Sequence, residues 1–235
     1  MKSNMNIVTA QNIKKSYLQG KVQVFALRGV SMSVKKSEFM ALAGPSGSGK
    51  TTMLNIIGGI DSPDSGTIVV DNNDYGDMNQ SSLAELRLNK IGFVFQAYNL
   101  IPVLSARENV EYIMLLQGLK ASERKEKAMK ILDEVGLEGK YDRRPSELSG
   151  GQQQRVAVAR AIVSNPAIVL ADEPTANLDS KTGKSLLDMM RKMNMEKQVT
   201  FIFSTHDNMV MDYAKRIVRL RDGQVEDDII KQESR

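Results

Sequence analysis

The chain has 235 residues, of which 41% are hydrophobic and 26% charged, a balance typical of a globular domain that is long enough to bury a core. The formal net charge of +4 comes from scattered lysines and arginines without any basic run, so charge gives no ground for a nucleic-acid partner. The sequence has no cysteine, which excludes disulfides and thiolate metal sites and fits a reducing compartment.

No stretch of the sequence approaches the roughly 18 apolar residues that are needed to span a bilayer. Residues 1–6 lack the apolar segment of a signal peptide, and apolar runs such as 167–171 have only the length of a strand. We therefore expect a soluble, cytoplasmic protein. If it acts at a membrane, another chain must supply the membrane-spanning part.

The first 70 residues predict short strands joined by tight turns, at 7–9, 30–34, 39–43 and 67–70. The strand at 39–43 is followed by Gly44-Pro45-Ser46-Gly47-Ser48-Gly49-Lys50-Thr51, which fits G-x-x-x-x-G-K-[ST]. A helical pattern at 51–57 completes the strand–loop–helix context that this motif requires. The sequence therefore predicts a phosphate-binding loop rather than an ordinary glycine-rich turn.

The residue types in this loop suit a triphosphate. Gly44 and Gly49 permit backbone turns that a Cβ would obstruct, so successive N–H groups can face an oxyanion at the start of a helix. Lys50 would bridge the β- and γ-phosphates, and the Thr51 hydroxyl would ligate Mg²⁺.

Two residues outside the loop are further candidates, each with an ordinary alternative. Tyr17 could stack on adenine or simply face solvent. Gln96 follows an apolar strand at 91–95, and it could ligate Mg²⁺, orient a water molecule or merely end the strand. The absence of an Asn-Lys-x-Asp segment, which would read guanine, slightly favours adenine.

Residues 98–147 have a helical pattern. Ser105 and Glu108 have the spacing of a capping box, and apolar residues recur at helical spacing over 110–116 and 121–135. This region predicts a helical insertion in an α/β core.

A second helix start follows at Leu148-Ser149-Gly150-Gly151-Gln152. Ser149 and Gln152 again have capping-box spacing, and the two glycines leave the N-terminus open to close approach by an anion. An ordinary N-cap with permissive glycines explains the pattern equally well, so both interpretations remain open.

After residue 166 the pattern alternates strand and helix, with buried strands at 168–171 and 199–203 and a helix at 180–193. Asp172 and Glu173 follow the first strand, at the edge where open α/β sheets bind ligands. Asp172 would support Mg²⁺, usually through its water shell, and Glu173 would be the general base for an attacking water. Capping of the next helix is the alternative.

The only histidine, His206, follows the next strand and could link a γ-phosphate to that base, the alternative being a structural role. Residues 217–220 followed by Asp222-Gly223 predict a late hairpin. The acidic residues 226–228 and the rest of the C-terminus predict a loose tail.

Taken together, these segments resemble the ATP-binding subunits of ABC transporters over nearly the whole chain. Residues 44–51 resemble the Walker A motif, Gln96 the Q-loop, 148–152 the signature, 168–173 Walker B, 176–179 the D-loop and His206 the switch histidine. Ala176 and Asn177 stand where Ser-Ala or Gly-Asn is commoner, whereas Asp179 of the D-loop is retained.

The resemblance implies one ATP-binding domain over 1–235, with the α/β fold of P-loop NTPases of the ABC type. Its parts are a RecA-like parallel-sheet core, an N-terminal antiparallel β-subdomain and a helical subdomain inserted at about 98–165. The implied catalytic residues are Glu173, His206 and Gln96. The implied Mg²⁺ ligands are Thr51, Gln96 and Asp172. The implied nucleotide-binding residues are Tyr17, Gly44, Pro45, Ser46, Gly47, Ser48, Gly49, Lys50, Thr51 and Thr52.

The resemblance further implies ATP and Mg²⁺ as cofactors and a head-to-tail homodimer, in which each ATP lies between the Walker A loop of one subunit and residues 148–152 of the other. Closure and opening would drive a separate integral membrane permease, whose coupling segment would contact residues 98–111. The chain would then lie on the inner face of the cell membrane, held there by the permease.

A narrower resemblance, carried by 44–50, 55–59, 91–96 and 171–179, is to the lipoprotein-release and macrolide-efflux branch with its LolD-like and MacB-like ATPases. This branch implies export or extraction of a lipoprotein, peptide or drug. The alternative is an FtsE-like ATPase that regulates a membrane partner by mechanotransmission without transport. A soluble ABC ATPase acting on DNA or ribosomes is disfavoured, because the chain has neither a long coiled coil nor a second cassette.

Overall fold

The computed structural model describes residues 6–231, in which ten strands and seven α-helices are present. Residues 1–5, which bear on the signal-peptide question, and the last four residues of the predicted tail lie outside this range. The strands are β1 Asn6–Gln19, β2 Val22–Lys35, β3 Phe39–Ala43, β4 Ser65–Val70, β5 Asn73–Asp74, β6 Ile91–Val94, β7 Ile168–Asp172, β8 Thr200–Thr205, β9 Arg216–Arg221 and β10 Gln224–Ile230. The helices are α1 Lys50–Ile57, α2 Gln80–Lys90, α3 Ala106–Leu116, α4 Ala121–Glu134, α5 Gly150–Ile162, α6 Ser180–Lys197 and α7 Asn208–Tyr213.

The central sheet has six strands in the order β10-β9-β3-β8-β7-β6. Its five strands from β9 to β6 are parallel, and β10 adds an antiparallel edge through a hairpin with β9. Every residue of β3 and β8 is buried, because helices or the second sheet cover both faces of these strands. The carboxyl ends of β3, β7 and β8 meet at one edge, which is where such sheets place their ligands.

Side chains that alternate along the central strands pack into two separate hydrophobic cores, one on each face of the sheet. Phe39, Phe201 and Phe203 pack on one face with apolar residues of α3 to α6. Met40 and Ile202 point to the other face and pack with α1, α2 and the second sheet. The central sheet is therefore a wall shared by two layers, as expected for a parallel α/β core.

The second sheet is antiparallel, with the order β2-β1-β4-β5, and it confirms the predicted N-terminal β-subdomain. Strands β1 and β2 each have 14 residues, far longer than the segments predicted at 7–9 and 30–34. The outer halves of both strands are largely exposed, including the apolar residues Val22, Val24 and Phe25 of β2, and register shifts interrupt their alternation. The outer halves therefore lack the regular alternation of buried apolar and exposed polar residues from which a half-buried strand is predicted.

Helices α3, α4 and α5 lie between β6 and β7 in the chain, as predicted for an inserted helical region. Both predicted capping boxes are present. The Ser105 hydroxyl accepts from the Glu108 N–H at 3.2 Å, and the Ser149 hydroxyl accepts from the Gln152 N–H at 3.4 Å. The limits of this region at about 98 and 165 as a subdomain stay a prediction.

The prediction of a loose acidic tail is wrong for residues 226–230, which belong to β10. Arg216 on β9 donates from Nε and Nη2 to the two carboxylate oxygens of Asp228, at 2.7 and 2.6 Å, and also approaches Glu38 at 3.2 Å. The hydrogen bond with Asp228 is the largest cause of a raised Arg216 pKa. The acidic run at 226–228 is thus partly neutralised by Arg216, which lies twelve residues before Asp228. The charges next to the run in the sequence do not indicate this contact.

Within residues 6–231, no helix combines the length and apolarity needed to cross a bilayer.

Candidate functional site

The loop after β3 has a shape that only glycine allows at two points. Gly44 and Gly49 have φ angles of +152° and +100°. A Cβ on Gly44 would collide with the backbone carbonyl oxygen of Leu220, and one on Gly49 would lie 2.5 Å from that of Ala26. Because these neighbours are backbone atoms of β9 and β2, they cannot move aside without disturbing the strands, so a side chain is excluded at both positions.

Lys50, the first residue of α1, is buried and folds back over this loop. Its Nζ donates to the carbonyl oxygens of Gly44 at 2.7 Å and Pro45 at 2.9 Å. Burial lowers the pKa of Lys50, and the nearby carboxylates of Glu173 and Asp172 act in the opposite direction. In residues 6–231 no carboxylate forms an ion pair with this ammonium group, so its charge is available to an anion.

A second observation shows that the loop fits a phosphate. The Ser48 hydroxyl is buried and has no hydrogen-bond partner among residues 6–231, which costs about 1–3 kcal/mol for a buried polar group. It lies inside the loop, because a Cβ on Gly44 would be 2.7 Å from it. A phosphate oxygen would satisfy this hydroxyl, and the N-terminus of α1 adds the positive end of its dipole.

Thr51 and Asp172 join the start of α1 to the end of β7. The Thr51 hydroxyl donates to the two Asp172 carboxylate oxygens at 3.1 and 3.2 Å. A hydroxyl and a carboxylate are the oxygen ligands that Mg²⁺ prefers, so this pair fits the ion. Gln96 is exposed, and its backbone carbonyl accepts from the Asn177 amide at 2.9 Å. Ligation of Mg²⁺ by the Gln96 side chain stays a prediction.

Glu173 and His206 form a pair at the ends of β7 and β8. Glu173 Oε1 lies 2.7 Å from His206 Nδ1, and the Thr205 hydroxyl donates to Glu173 Oε2 at 3.3 Å. The carboxylate side chain is 14% exposed and the imidazole 61% exposed. When Glu173 is ionised, Nδ1 must carry the proton that it shares, which leaves Nε2 free for another group.

The backbone at Glu173 is strained, with φ at +44°. Such a conformation in a residue other than glycine costs on the order of 1–3 kcal/mol and is found at functional sites. The Glu173 N–H donates to the Ser204 carbonyl at 2.9 Å, which fixes the residue against β8. The carboxylate is therefore held in one orientation by its backbone and by both side-chain partners.

Tyr17 lies near the tip of the β1–β2 hairpin with 41% of its surface exposed. Its hydroxyl donates to Asp61 Oδ2 at 2.6 Å, and Thr52 on α1 is close enough to influence the pKa of Tyr17. Burial, followed by the bond to Asp61, raises the pKa of Tyr17, so the hydroxyl stays protonated. Thr52 directly follows the phosphate-binding loop at 44–51, and stacking of the Tyr17 ring on adenine stays a prediction.

The glycines at the start of α5 have a packing reason within the chain itself. A Cβ on Gly150 would lie 2.8 Å from the Tyr98 hydroxyl, and one on Gly151 would collide with the Thr182 methyl group. Ser149 is exposed. No hydrogen bond or ion pair within residues 6–231 joins 148–152 to the loop at 44–52. This helix start is preformed and stands apart from the chain's own phosphate-binding loop.

We predict that Gly151→Ala lowers the free energy of unfolding by about 1–2 kcal/mol, because overpacking against Thr182 outweighs the gain in helix propensity. Adding Thr182→Ser removes the colliding methyl group and keeps the hydroxyl that donates to Asp179 at 2.6 Å. Urea unfolding should show recovery in the double variant. A Gly151→Ala chain as stable as the unaltered protein, or no recovery, would contradict this packing role.

Asp179 caps α6, since its carboxylate accepts from the Thr182 N–H at 3.0 Å and from the Thr182 hydroxyl. These hydrogen bonds lower the pKa of Asp179. The unusual Asn177 also has a contact of its own, because its amide joins the D-loop segment to the backbone at Gln96.

Two residues of α5 that the sequence did not single out hold the loops around the site. Buried Gln154 donates to the Pro174 carbonyl at 2.8 Å, next to Glu173. Arg160 donates to the carbonyls of Tyr98 and Asn99 at 3.0 and 2.6 Å. In the sequence, the feature that could have indicated both residues is a polar side chain within a helix whose other residues are largely apolar and buried. Helix α5 therefore supports the segments after Gln96 and after Glu173.

A groove of about 430 Å³ lies beside this support. Its walls come from α2, β6, α3 and α5 and from the segment after β6. They include Phe93, Phe95, Ile101, Tyr112, Ile113 and Arg160. Tyr112 is partly exposed at the groove. The predicted permease-contact segment 98–111 runs along it.

Comparisons with known proteins agree with this geometry. A family model described as ABC transporter matches residues 27–176. The uncharacterized ABC transporter ATP-binding protein MJ0796 of Methanocaldococcus jannaschii is 44% identical over 224 residues, covering 94% of this chain and 95% of the relative. The macrolide export ATP-binding/permease protein MacB of Syntrophobacter fumaroxidans is 47% identical over 224 residues, and the chain spans 31% of its length.

A solved structure, the dimeric post-hydrolysis state of the ATP-binding cassette MJ0796 bound to ADP and Pi, superposes with a TM-score of 0.89. It is 43% identical in sequence, and the alignment covers 97% of this chain and all of that one. The similarity in both sequence and structure extends over nearly the full chain.

Proposed function

Since this chain belongs to the ABC transporter family and is an ATP-binding ATPase, we propose that two copies close around two ATP molecules and drive a separate membrane permease. The observation that carries the proposal is the preformed helix start at Ser149, which makes no hydrogen bond to the chain's own residues 44–52. A phosphate on a second copy would give this helix start a ligand. The similar cassette MJ0796 is a dimer with ADP and Pi, which supports this arrangement.

In this proposal the residues at the sheet edge have different roles in ATP hydrolysis. Lys50 and the N–H groups of the loop bind the triphosphate. Thr51 and Asp172 would hold Mg²⁺, which would neutralise charge on the phosphate oxygens. Glu173 accepts a proton from the attacking water, and His206 keeps the carboxylate oriented. Gln96 would complete the Mg²⁺ ligands or orient the water.

The groove beside α3 is an argument for a membrane partner. Its apolar wall is partly exposed, and the Arg160 contacts connect it to the segment after Gln96 and to α5. A partner segment seated there would be coupled to the ATP site through these elements. The relative MacB combines the ATP-binding part and a permease in one protein, in keeping with such a partner. We propose a position on the inner face of the cell membrane, with export or extraction of a lipoprotein, peptide or drug.

The partner proposal predicts that Tyr112→Arg abolishes binding of the chain to its permease in detergent and the stimulation of ATPase activity by the permease, because a charge enters the apolar groove. ATP hydrolysis by the isolated chain should not change. Met195→Arg on α6 is the matched control, since Met195 is also exposed and does not line the groove. Both measurements use the co-expressed complex. Permease binding that survives Tyr112→Arg would argue against the groove as the contact.

A further inference from the structure

One carboxylate, that of Asp61, organises the surroundings of Tyr17. Its Oδ2 accepts from the Tyr17 hydroxyl at 2.6 Å, and its Oδ1 accepts from Lys15 Nζ at 2.7 Å. Lys15 Nζ also stands over the Tyr17 ring, 5.2 Å from the ring centroid. Each of the three side chains therefore contacts the other two. The Asp61 carboxylate holds the Tyr17 hydroxyl, and the Lys15 ammonium group lies over the Tyr17 ring.

This set leaves one face of the ring available. Lys15 Nζ lies over one face of the ring, whereas Tyr17 retains 41% of its surface, so we infer that the opposite face contributes to this exposed surface. The hydrogen bond from the hydroxyl restricts rotation of the side chain. A ligand that stacks on the open face then meets an ordered ring and need not lose that side-chain entropy on binding.

The charge state of Asp61 suits a residue that accepts hydrogen bonds from both Tyr17 and Lys15. Burial raises the pKa of Asp61, but the hydrogen bonds from Lys15, Tyr17 and the Ser62 backbone outweigh burial and hold that pKa below its usual value. The carboxylate is thus ionised at neutral pH and accepts both donors.

We propose that Asp61 is a positioning residue for nucleotide binding, which together with Lys15 holds the Tyr17 ring with its open face toward the purine base of ATP. The proposal rests on the ATP site proposed above. It adds that affinity for the base depends on the Lys15–Asp61–Tyr17 contacts, whereas affinity for the triphosphate does not.

The chain offers a matched control in Asp64, three residues further along the same loop. Its carboxylate accepts from the Ser16 N–H and the Ser16 hydroxyl, both at 2.7 Å, and lies 3.7 Å from Lys15. It therefore ties the same loop to β1 and carries the same charge. No hydrogen bond between Asp64 and Tyr17 is present within the described part of the chain.

The test compares binding of Mg·ATP with binding of inorganic tripolyphosphate by calorimetry. Asp61→Asn should weaken ATP binding about threefold to tenfold, the range expected for ordering one aromatic side chain, and leave tripolyphosphate binding unchanged. In steady-state assays the KM for ATP should rise by the same factor while kcat stays constant. Asp64→Asn should change neither affinity.

Tyr17→Phe provides a second route to the same result, because it keeps the ring and removes the hydroxyl. Its effect on ATP binding should match that of Asp61→Asn, and the double variant should be no weaker than either one alone. ATP affinity that is unchanged in Asp61→Asn would overturn the proposal, as would an equal loss of tripolyphosphate affinity. Failure of the proposed ATP site would look different, since the unaltered chain would then bind neither ligand.

Discussion

Replacing Glu173 with Gln should reduce ATP hydrolysis at least about 100-fold and leave ATP binding intact. The amide has the size of the carboxylate and can still contact His206 and Thr205, so the site keeps its shape. It cannot accept a proton from water at neutral pH, and activation of the attacking water is lost. Because the phosphate-binding residues are untouched, ATP should hold the two copies together in a dimer that does not reopen.

Two measurements check this expectation. Single-turnover and steady-state assays give the rate of phosphate release, and size-exclusion chromatography with Mg·ATP shows whether the dimer persists. Glu138→Gln, a surface position in the loop after α4, is the control for the chemical change itself and should behave like the unaltered chain. Hydrolysis by Glu173→Gln at a near-normal rate would remove Glu173 from the role of general base.

The parts of the fold that the sequence predicts well are those specified by neighbouring residues. The loop after β3 is defined by glycines whose left-handed backbone no other residue adopts without strain, and both helix starts with capping boxes depend on residues three positions apart. The continuous apolar runs of β3 and β7 are similarly local. The sequence alone locates these features because their causes lie within a few residues.

The features that the sequence does not predict depend on residues far apart in the chain or have too weak a local pattern. Strand β10 is held by Arg216, whose partners Asp228 and Glu38 lie 12 and 178 residues away, so the acidic run resembles a tail when only its neighbours are considered. Helix α2 buries little more than Leu83 and Leu86, too few apolar residues for a helical pattern to stand out.

The same distinction holds in the site. The sequence places Asp172, Glu173 and His206 at strand ends, and the parallel sheet brings those ends together. It does not show that Asp61 holds Tyr17 from 44 residues away, or that Arg160 supports the segment after Gln96. Residues such as Asp61 and Arg160, which position other residues, belong to no sequence motif. Their role depends on a contact in the folded chain and not on a fixed spacing in the sequence.

Gly150 and Gly151 illustrate why a motif can have two causes. Their contacts with Tyr98 and Thr182 are sufficient to require small residues, whatever binds at the helix start. The stable double variant Gly151→Ala with Thr182→Ser separates the two causes. If that variant folds normally but fails to dimerise with ATP, the glycine also serves close approach of the partner's phosphate.

Ser149→Arg should abolish ATP-dependent dimerisation and reduce ATP hydrolysis to near background, while the monomer still binds ATP. Ser149 is exposed, and within residues 6–231 its hydroxyl makes one hydrogen bond, in which it accepts from the N–H of Gln152. An arginine there would extend into the space that the proposed dimer gives to the partner's triphosphate. The expected loss is large because one substitution affects both sites of a symmetric dimer.

Loss of the helix cap is a competing explanation, since removing an N-cap hydroxyl costs about 1 kcal/mol. Ser149→Ala separates the two causes, because it removes the same cap without adding bulk or charge, and it should retain substantial hydrolysis and form the dimer. Calorimetry with ATP tests the monomer, and light scattering with ATP tests the dimer. If Ser149→Arg loses nucleotide binding and dimerisation together, Ser149 acts within its own chain. If Ser149→Ala is as inactive as Ser149→Arg, the cap and not the partner's ATP explains the residue.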